Sequence, residues 1–238
     1  MSQEHNGKVL EFKRPEDSIP EELITEPEVR LVGTLLTKPL KAYSHFATLV
    51  TLLFITLVTQ IYWLDFNGWA DQMPAVKRLI FENSEYWRLF TSVLIHADIG
   101  HLLSNMYMLG IFSYFIYGHF GFKAFPLYTF LGAALVNLIS INTYPPDVRL
   151  LGASGWVYLL GGFWLSIYLM IQKQYSFSKR LLRVTGMSLM VFFPTSFEQT
   201  TSYRTHFIGF VIGVAIGFFY FYANRKKIKK SEQTQLIY

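Results

Sequence analysis

Three groups of residues in this chain have types and spacings that could do chemistry. The first is the run Gly152-Ala153-Ser154-Gly155. Small residues before a serine let the backbone turn tightly and let another molecule come close to the hydroxyl. At the start of a helix, the unpaired amides of the first turn point at whatever lies beside that serine and can stabilise a tetrahedral oxyanion. Tyr158 and Gly161 follow at i+4 and i+7, so they share a helical face with Ser154. The second group is His206, with Gly209, Gly213 and Gly217 behind it, the glycines four residues apart. Such a ridge admits a second helix to near backbone contact, and a histidine at its end is the usual base for making a serine hydroxyl nucleophilic. The third group is His101 and Asn105, which stand four apart and so share one helix face. Each group alone also reads as packing or hydrogen bonding that fastens helices together.

Other chemistries lack their parts. The chain has no cysteine, which removes disulfides, thiolate metal sites and a thiol nucleophile. It has no His-Glu-x-x-His or equivalent metal-ligand set. The remaining histidines, His5, His45, His96 and His119, read as surface or interface residues, with His96 near the mouth of any site built around Ser154.

The elements that must position these residues are membrane helices. Of the 238 residues, 52% are apolar, 18% aromatic and only 16% charged, against about 25% charged in a soluble domain. Stretches free of Asp, Glu, Lys and Arg cover 42–64, 99–122, 124–146, 150–172, 184–197 and 205–224. About 20 apolar residues cross a ~30 Å hydrocarbon core, so five of these suffice unaided. The 14-residue stretch 184–197 needs Arg180 and Arg183 to snorkel. The expected fold is therefore an all-α membrane protein, a bundle of six transmembrane helices, with five as the competing count. No acid lies in any span, so a pair of intramembrane carboxylates is absent.

Placing both termini inside puts Lys38, Lys41, Lys123, Lys173 and eight further Lys and Arg on the inner side, against five outside. That bias predicts cytoplasmic termini. The outer connection 65–98 carries Trp69, Phe81, Tyr86 and Trp87, which suits a segment lying in the interface. Three regions follow: a polar, Glu- and Pro-rich tail 1–41 expected to be disordered, the membrane domain 42–224, and a basic tail 225–238. The positive net charge, +5, comes mostly from that last region and calls for no nucleic acid. By this topology Ser154, His206 and His101 all fall at the outer ends of their helices.

In order, spacing and host segment, Trp87-Arg88, His101-x-x-x-Asn105, Gly152-Ala153-Ser154-Gly155 and His206-x-x-Gly209-x-x-x-Gly213 resemble the motifs of the rhomboid intramembrane serine proteases, over residues 43–223. The resemblance implies a rhomboid-like bundle and a Ser-His dyad, with Ser154 as nucleophile and His206 as general base and then acid. It implies that His101, Asn105 and the Ser154 amide form the oxyanion hole, that the His206 ring rests on Tyr158, and that Arg88 anchors the first outer loop. Two positions depart from the family pattern: Tyr117 stands where many members carry an acid, and Thr205 where many carry Ala. The function implied is cleavage of peptide bonds in or near transmembrane segments of other membrane proteins. Neither metal nor organic cofactor is expected, and the partners are substrate helices and the lipid bilayer. A rhomboid-like protein that binds client helices without cleaving them is the alternative; a small transporter lacks a charged residue at mid-membrane. The compact six-span plan looks bacterial, which would place the chain in the plasma membrane.

Overall fold

The computed structural model describes residues 27–192 and 202–237. The described chain begins with strand β1 (Glu28–Gly33), and helix α1 spans Ser44–Trp63. A connection then holds three short helices, α2 (Trp69–Gln72), α3 (Lys77–Glu82) and α4 (Arg88–Thr91), with strand β2 (Ala75–Val76) between the first two. Helix α5 (Ile99–Phe120) and helix α6 (Thr129–Ile141) follow, the latter entered through a wider π turn at Lys123–Tyr128. Strand β3 (Arg149–Leu150) leads into α7 (Ser154–Ile171), and the chain continues through α8 (Phe177–Phe192), α9 (Tyr203–Lys229) and strand β4 (Gln233–Ile237).

Among the described residues, five segments are long and apolar enough to cross a membrane: α1, α5, Lys123–Ile141, α7 and α9. The predicted span 184–197 begins midway along α8, and its residues 193–197 lie outside the described residues. Helix α8 starts earlier than the charge-free stretch, at Phe177, so that Lys179, Arg180 and Arg183 occupy its first half.

The core sits around α7, most of whose residues are buried, whereas few residues of α1 are and that helix lies at the edge of the bundle. Lipid tails are as apolar as leucine, so burial of apolar surface does not draw helices together in a bilayer; close fit does. Here the fit is made by glycine. A Cβ on Gly213 would lie 2.0 Å from the Leu159 carbonyl oxygen, and one on Gly209 would lie 2.4 Å from that of Gly155. Gly162 reciprocates from α7, where a Cβ would come within 2.2 Å of the Phe210 carbonyl oxygen. Helices α7 and α9 thus touch backbone to backbone, with Gly217 against Ser166 continuing the seam.

Two small sheets tie the ends of the bundle. Strands β2 and β3 pair antiparallel, Ala75 opposite Leu150 and Val76 opposite Arg149, which fastens the first long connection to the strand entering α7. Arg149 adds an ion pair to Asp71 at 3.0 Å, and Arg78 one to Asp147. At the other end β1 pairs antiparallel with β4, from Glu28 opposite Ile237 to Gly33 opposite Gln233. Residues 28–37 of the segment expected to be a disordered tail therefore form a strand and a 3-10 turn, and the basic C-terminal segment supplies their partner. The Thr34 hydroxyl, fully buried, donates to Gln172 at the end of α7. A polar composition had concealed these contacts.

Candidate functional site

The site is built at the helix ends that lie away from β1 and β4. Backbone φ at Gly152 is +117°, a conformation open to glycine, and a Cβ there would meet the His101 ring at 2.6 Å. Ala153 caps α7, so Ser154 is the first residue of that helix, as the sequence predicted. Gly155 faces the start of α9: a Cβ on it would lie 3.0 Å from Thr205 Cγ2. The seam described above seats α9 so that the His206 ring stacks on Tyr158, centroids 4.0 Å apart and planes within 14°. His206 Nδ1 is buried and has no hydrogen-bond partner among the described residues.

Helix α5 supplies the third wall. Asp98 caps it by accepting the His101 amide at 2.8 Å, and Asn105, buried, donates from Nδ2 to the His101 carbonyl oxygen at 3.0 Å. One amide hydrogen is therefore engaged within the helix and one remains. Ser154, His206, His101, Asn105, Tyr158 and Gly152 all line a single cavity of about 730 Å³. Every residue singled out from the sequence as directly chemical thus faces one space. Gly209 and Gly213 stand behind it in the helix seam, and Arg88 lies apart. Arg88 is buried in the first connection, where it pairs with Glu85 and donates to the Asp71 and Pro74 carbonyl oxygens at 2.7 and 3.1 Å. The hydrogen bond donated by Arg88 holds the Glu85 carboxyl below its usual range. Around Arg88 the connection exposes Trp69, Phe81, Tyr86 and Trp87.

Other contributors escape sequence reasoning. His96, expected near the surface, is fully buried, and its Nε2 accepts the Ala153 amide at 3.3 Å. The Thr59 hydroxyl lies 3.1 Å from the Leu94 carbonyl oxygen, to which it donates, and 3.2 Å from His96 Nδ1. With Nε2 accepting, Nδ1 carries the proton and donates to Thr59, which defines a neutral tautomer. Burial, with His101 nearby, pushes the His96 pKa down to about 3. One residue earlier, the Gly152 amide donates to the Ser92 carbonyl oxygen at 2.8 Å. Asn137 of α6 holds Ser92 in turn, donating to its hydroxyl at 2.9 Å and to the Leu89 carbonyl oxygen at 3.1 Å. A lone Asn in an apolar span was the available signal for Asn137; nothing in the pattern marked Thr59 or Ser92. At the departures, Thr205 is buried and accepts from the Ser202 hydroxyl, and Tyr117 packs against the core. His45 is exposed and His119 half-buried, while His5 lies outside the described residues.

Apolar crossing helices around a polar cavity define an integral membrane protein with a serine and a histidine at one helix-end site. The Rhomboid domain model matches residues 83–223 of the chain, and the chain belongs to the rhomboid family. It is 27% identical over 142 residues to "Rhomboid-like protease 3" of Toxoplasma gondii, covering 59% of this chain and 54% of that one. It is 27% identical over 177 residues to "Putative rhomboid protease YdcA" of Bacillus subtilis (strain 168), covering 69% and 85% respectively. To "Rhomboid-related protein 2" of Mus musculus it is 26% identical over 164 residues, covering 63% and 53%. The aligned part thus spans about half the length of the Toxoplasma and mouse relatives.

Proposed function

We propose that the chain is an intramembrane serine endopeptidase that cleaves peptide bonds in or near transmembrane segments of other membrane proteins. The observation that carries this reading is the shared cavity of Ser154, His206, His101 and Asn105, with the His206 ring stacked on Tyr158. In the reaction, Ser154 Oγ attacks the substrate carbonyl carbon while His206 takes the hydroxyl proton on Nε2. The carbonyl oxygen becomes an oxyanion, met by the Ser154 amide, His101 and the remaining Asn105 amide hydrogen. Collapse breaks the C–N bond, and the imidazolium returns its proton to the leaving amine. Water then attacks the acyl-enzyme, His206 again accepting a proton, and Ser154 is regenerated with a free carboxyl product. Stacking on Tyr158 limits rotation of the imidazole, so less orientational entropy is lost in reaching the attacking geometry.

A sixth crossing and cytoplasmic termini in a bacterial plasma membrane belong to this proposal. Support for the even count comes from β1 and β4: they pair with each other, so the chain must cross the bilayer an even number of times between them. Five candidate crossings leave one to be made by the segment that contains α8. The bias of Lys and Arg toward the side of the termini supports the orientation.

The test is cleavage of a model transmembrane substrate by the detergent-purified full chain, with EDTA present. The reading expects activity in the wild type and none in Ser154→Ala or His206→Ala, both folded by thermal melting. Wild-type protein that binds substrate helices and never cleaves them overturns it in favour of a client-binding rhomboid relative.

A further inference from the structure

Charge is distributed unequally between the two ends of the bundle. Every ion pair among the described residues, Arg78–Asp147, Arg88–Glu85 and Arg149–Asp71, lies at the end that holds the cavity. At the opposite end the cations Lys38, Lys41, Lys123 and the run Arg225–Lys230 face only two described acids, Glu28 and Glu232, and none forms an ion pair. Lys41 is the best-placed of these. Its amide donates to the Gly118 carbonyl oxygen at 3.2 Å, and its ammonium reaches over Gly121 at the end of α5, 2.6 Å from where a Cβ would stand. Partial burial and the neighbouring Lys227 ammonium, on the last turn of α9, both lower the Lys41 pKa. The Tyr220 ring of α9 packs on Phe120, next to Gly121, with centroids 5.4 Å apart, and Lys227, two turns on, shares that face of α9, so both ammoniums stand at this corner, and neither forms an ion pair among the described residues.

Exposed aromatic side chains flank these cations along the chain. Tyr43 is 73% exposed beside Lys41, Phe122 61% exposed beside Lys123, and Tyr222 60% exposed one turn before Lys226. All three stand at the ends of crossing helices, where an acyl chain meets a headgroup. A free anion would satisfy the ammoniums and leave these rings uncovered; a soluble acidic protein would cover the rings poorly. One ligand class has a negative phosphate next to hydrocarbon.

We infer that the face carrying β1 and β4 docks anionic phospholipids, with a headgroup phosphate seated between Lys41 and Lys227 and the acyl chains against Tyr43 and Phe122. The site is independent of the proteolytic reading, since it lies at the other end of the bundle and its test needs no cleavage.

The test uses the full chain reconstituted in nanodiscs of phosphatidylcholine with or without phosphatidylglycerol, with retained lipids counted by mass spectrometry and thermal unfolding followed in parallel. The wild type is expected to enrich phosphatidylglycerol over phosphatidylcholine and to melt higher in its presence, with both effects shrinking as salt is raised. Lys41→Gln/Lys227→Gln should lose about 5-fold or more of that enrichment, since each basic residue near an anionic surface adds to the attraction. Lys77→Gln, at the cavity end, should retain it. Equal retention of both lipids by the wild type overturns the inference. So does an equal effect of inorganic phosphate, or a double variant destabilised as much in pure phosphatidylcholine, the result expected if the acidic residues 1–26 were the true partner.

Discussion

Two consecutive amides, those of Gly152 and Ala153, donate away from the segment that precedes Ser154, to Ser92 O and to His96 Nε2. The chain entering α7 is therefore positioned by partners some sixty residues earlier, and this dependence was invisible in a motif that spells only Gly-Ala-Ser-Gly. What was legible was the set that lines the cavity: Ser154, His206, His101 and Asn105 stand out by type and spacing because polar and ionisable groups are costly in apolar helices. Thr59 and Ser92 act only through tertiary contacts, and their types are unremarkable at their positions; for His96 the sequence indicates a place near the mouth of the site but not its burial. His96 gives a pH prediction. Unfolded, its imidazole takes a proton near the ordinary 6.5, whereas in the fold it resists until about 3. Between those values the unfolded chain binds more protons, so stability falls as pH drops through that window and the His96 contribution is complete above it. Unfolding free energy should decline from pH 6.5 toward 4, by up to about 1.4 kcal/mol per pH unit for one group, read as a falling melting temperature, and His96→Gln should flatten the decline. An unchanged slope in that variant would assign the decline to other groups. For Asn105 the expectation is kinetic. Asn105→Ala should lower kcat by about 10-fold to 1000-fold, the range for a single oxyanion donor, with the melting temperature kept; unaltered turnover would remove it from the site.

Helix α9 shows how an element carries a residue to its place. Its glycines at 209, 213 and 217 were readable as a ridge, and the structure sets that ridge on α7 at backbone contact. The partner on α7 was less readable: Gly155 and Gly162 are separated by seven residues, and only the packed pair shows Gly162 meeting Phe210 in return. Helix α8 marks the limit of pattern reading. The charge-free stretch began at 184, but the helix begins at Phe177 because Arg180 and Arg183 are absorbed locally, the first by the Leu169 carbonyl oxygen and the second by the Tyr168 hydroxyl and the Tyr175 ring. Position within these elements predicts opposite outcomes for similar substitutions. Gly209→Val drives a side chain into the Gly155 carbonyl oxygen and should cost about 1–3 kcal/mol through overpacking, abolishing cleavage by displacing His206. Gly186→Ala on α8 meets no atom of the described residues within 4 Å and should be neutral or stabilise by about 0.5–1 kcal/mol, since glycine is unfavourable inside a helix. Thermal melts of the two variants, with cleavage measured on each, check the pair. Full activity in Gly209→Val would refute the seam as the device that seats His206.

The whole molecule closes on itself at the end away from the cavity, where β1 and β4 join the two polar segments and Thr34 ties the first to α7. Composition marked both segments as too polar to build a core, which is correct for burial and silent about pairing: a strand needs only a partner for its amides and carbonyls. Because neither segment could supply its own partner, the contact depends on α9 returning the chain to the side from which α1 departed. Topology then follows from connectivity instead of from counting hydropathy peaks, and the absence of cysteine makes it measurable. Single cysteines introduced at Thr234 in β4 and at Asn142, beyond α6 at the cavity end, report opposite faces of the bilayer. In intact spheroplasts a membrane-impermeant maleimide should label Asn142→Cys, and should reach Thr234→Cys only after permeabilisation. A double variant, Arg30→Cys with Gln235→Cys, places cysteines at directly opposed strand positions and should crosslink under mild oxidation within one chain. Labelling of Thr234→Cys from outside, with that crosslink still formed, would keep the even crossing number and reverse the orientation. Labelling from outside without the crosslink would separate the two ends across the bilayer, and five crossings would then be the correct count.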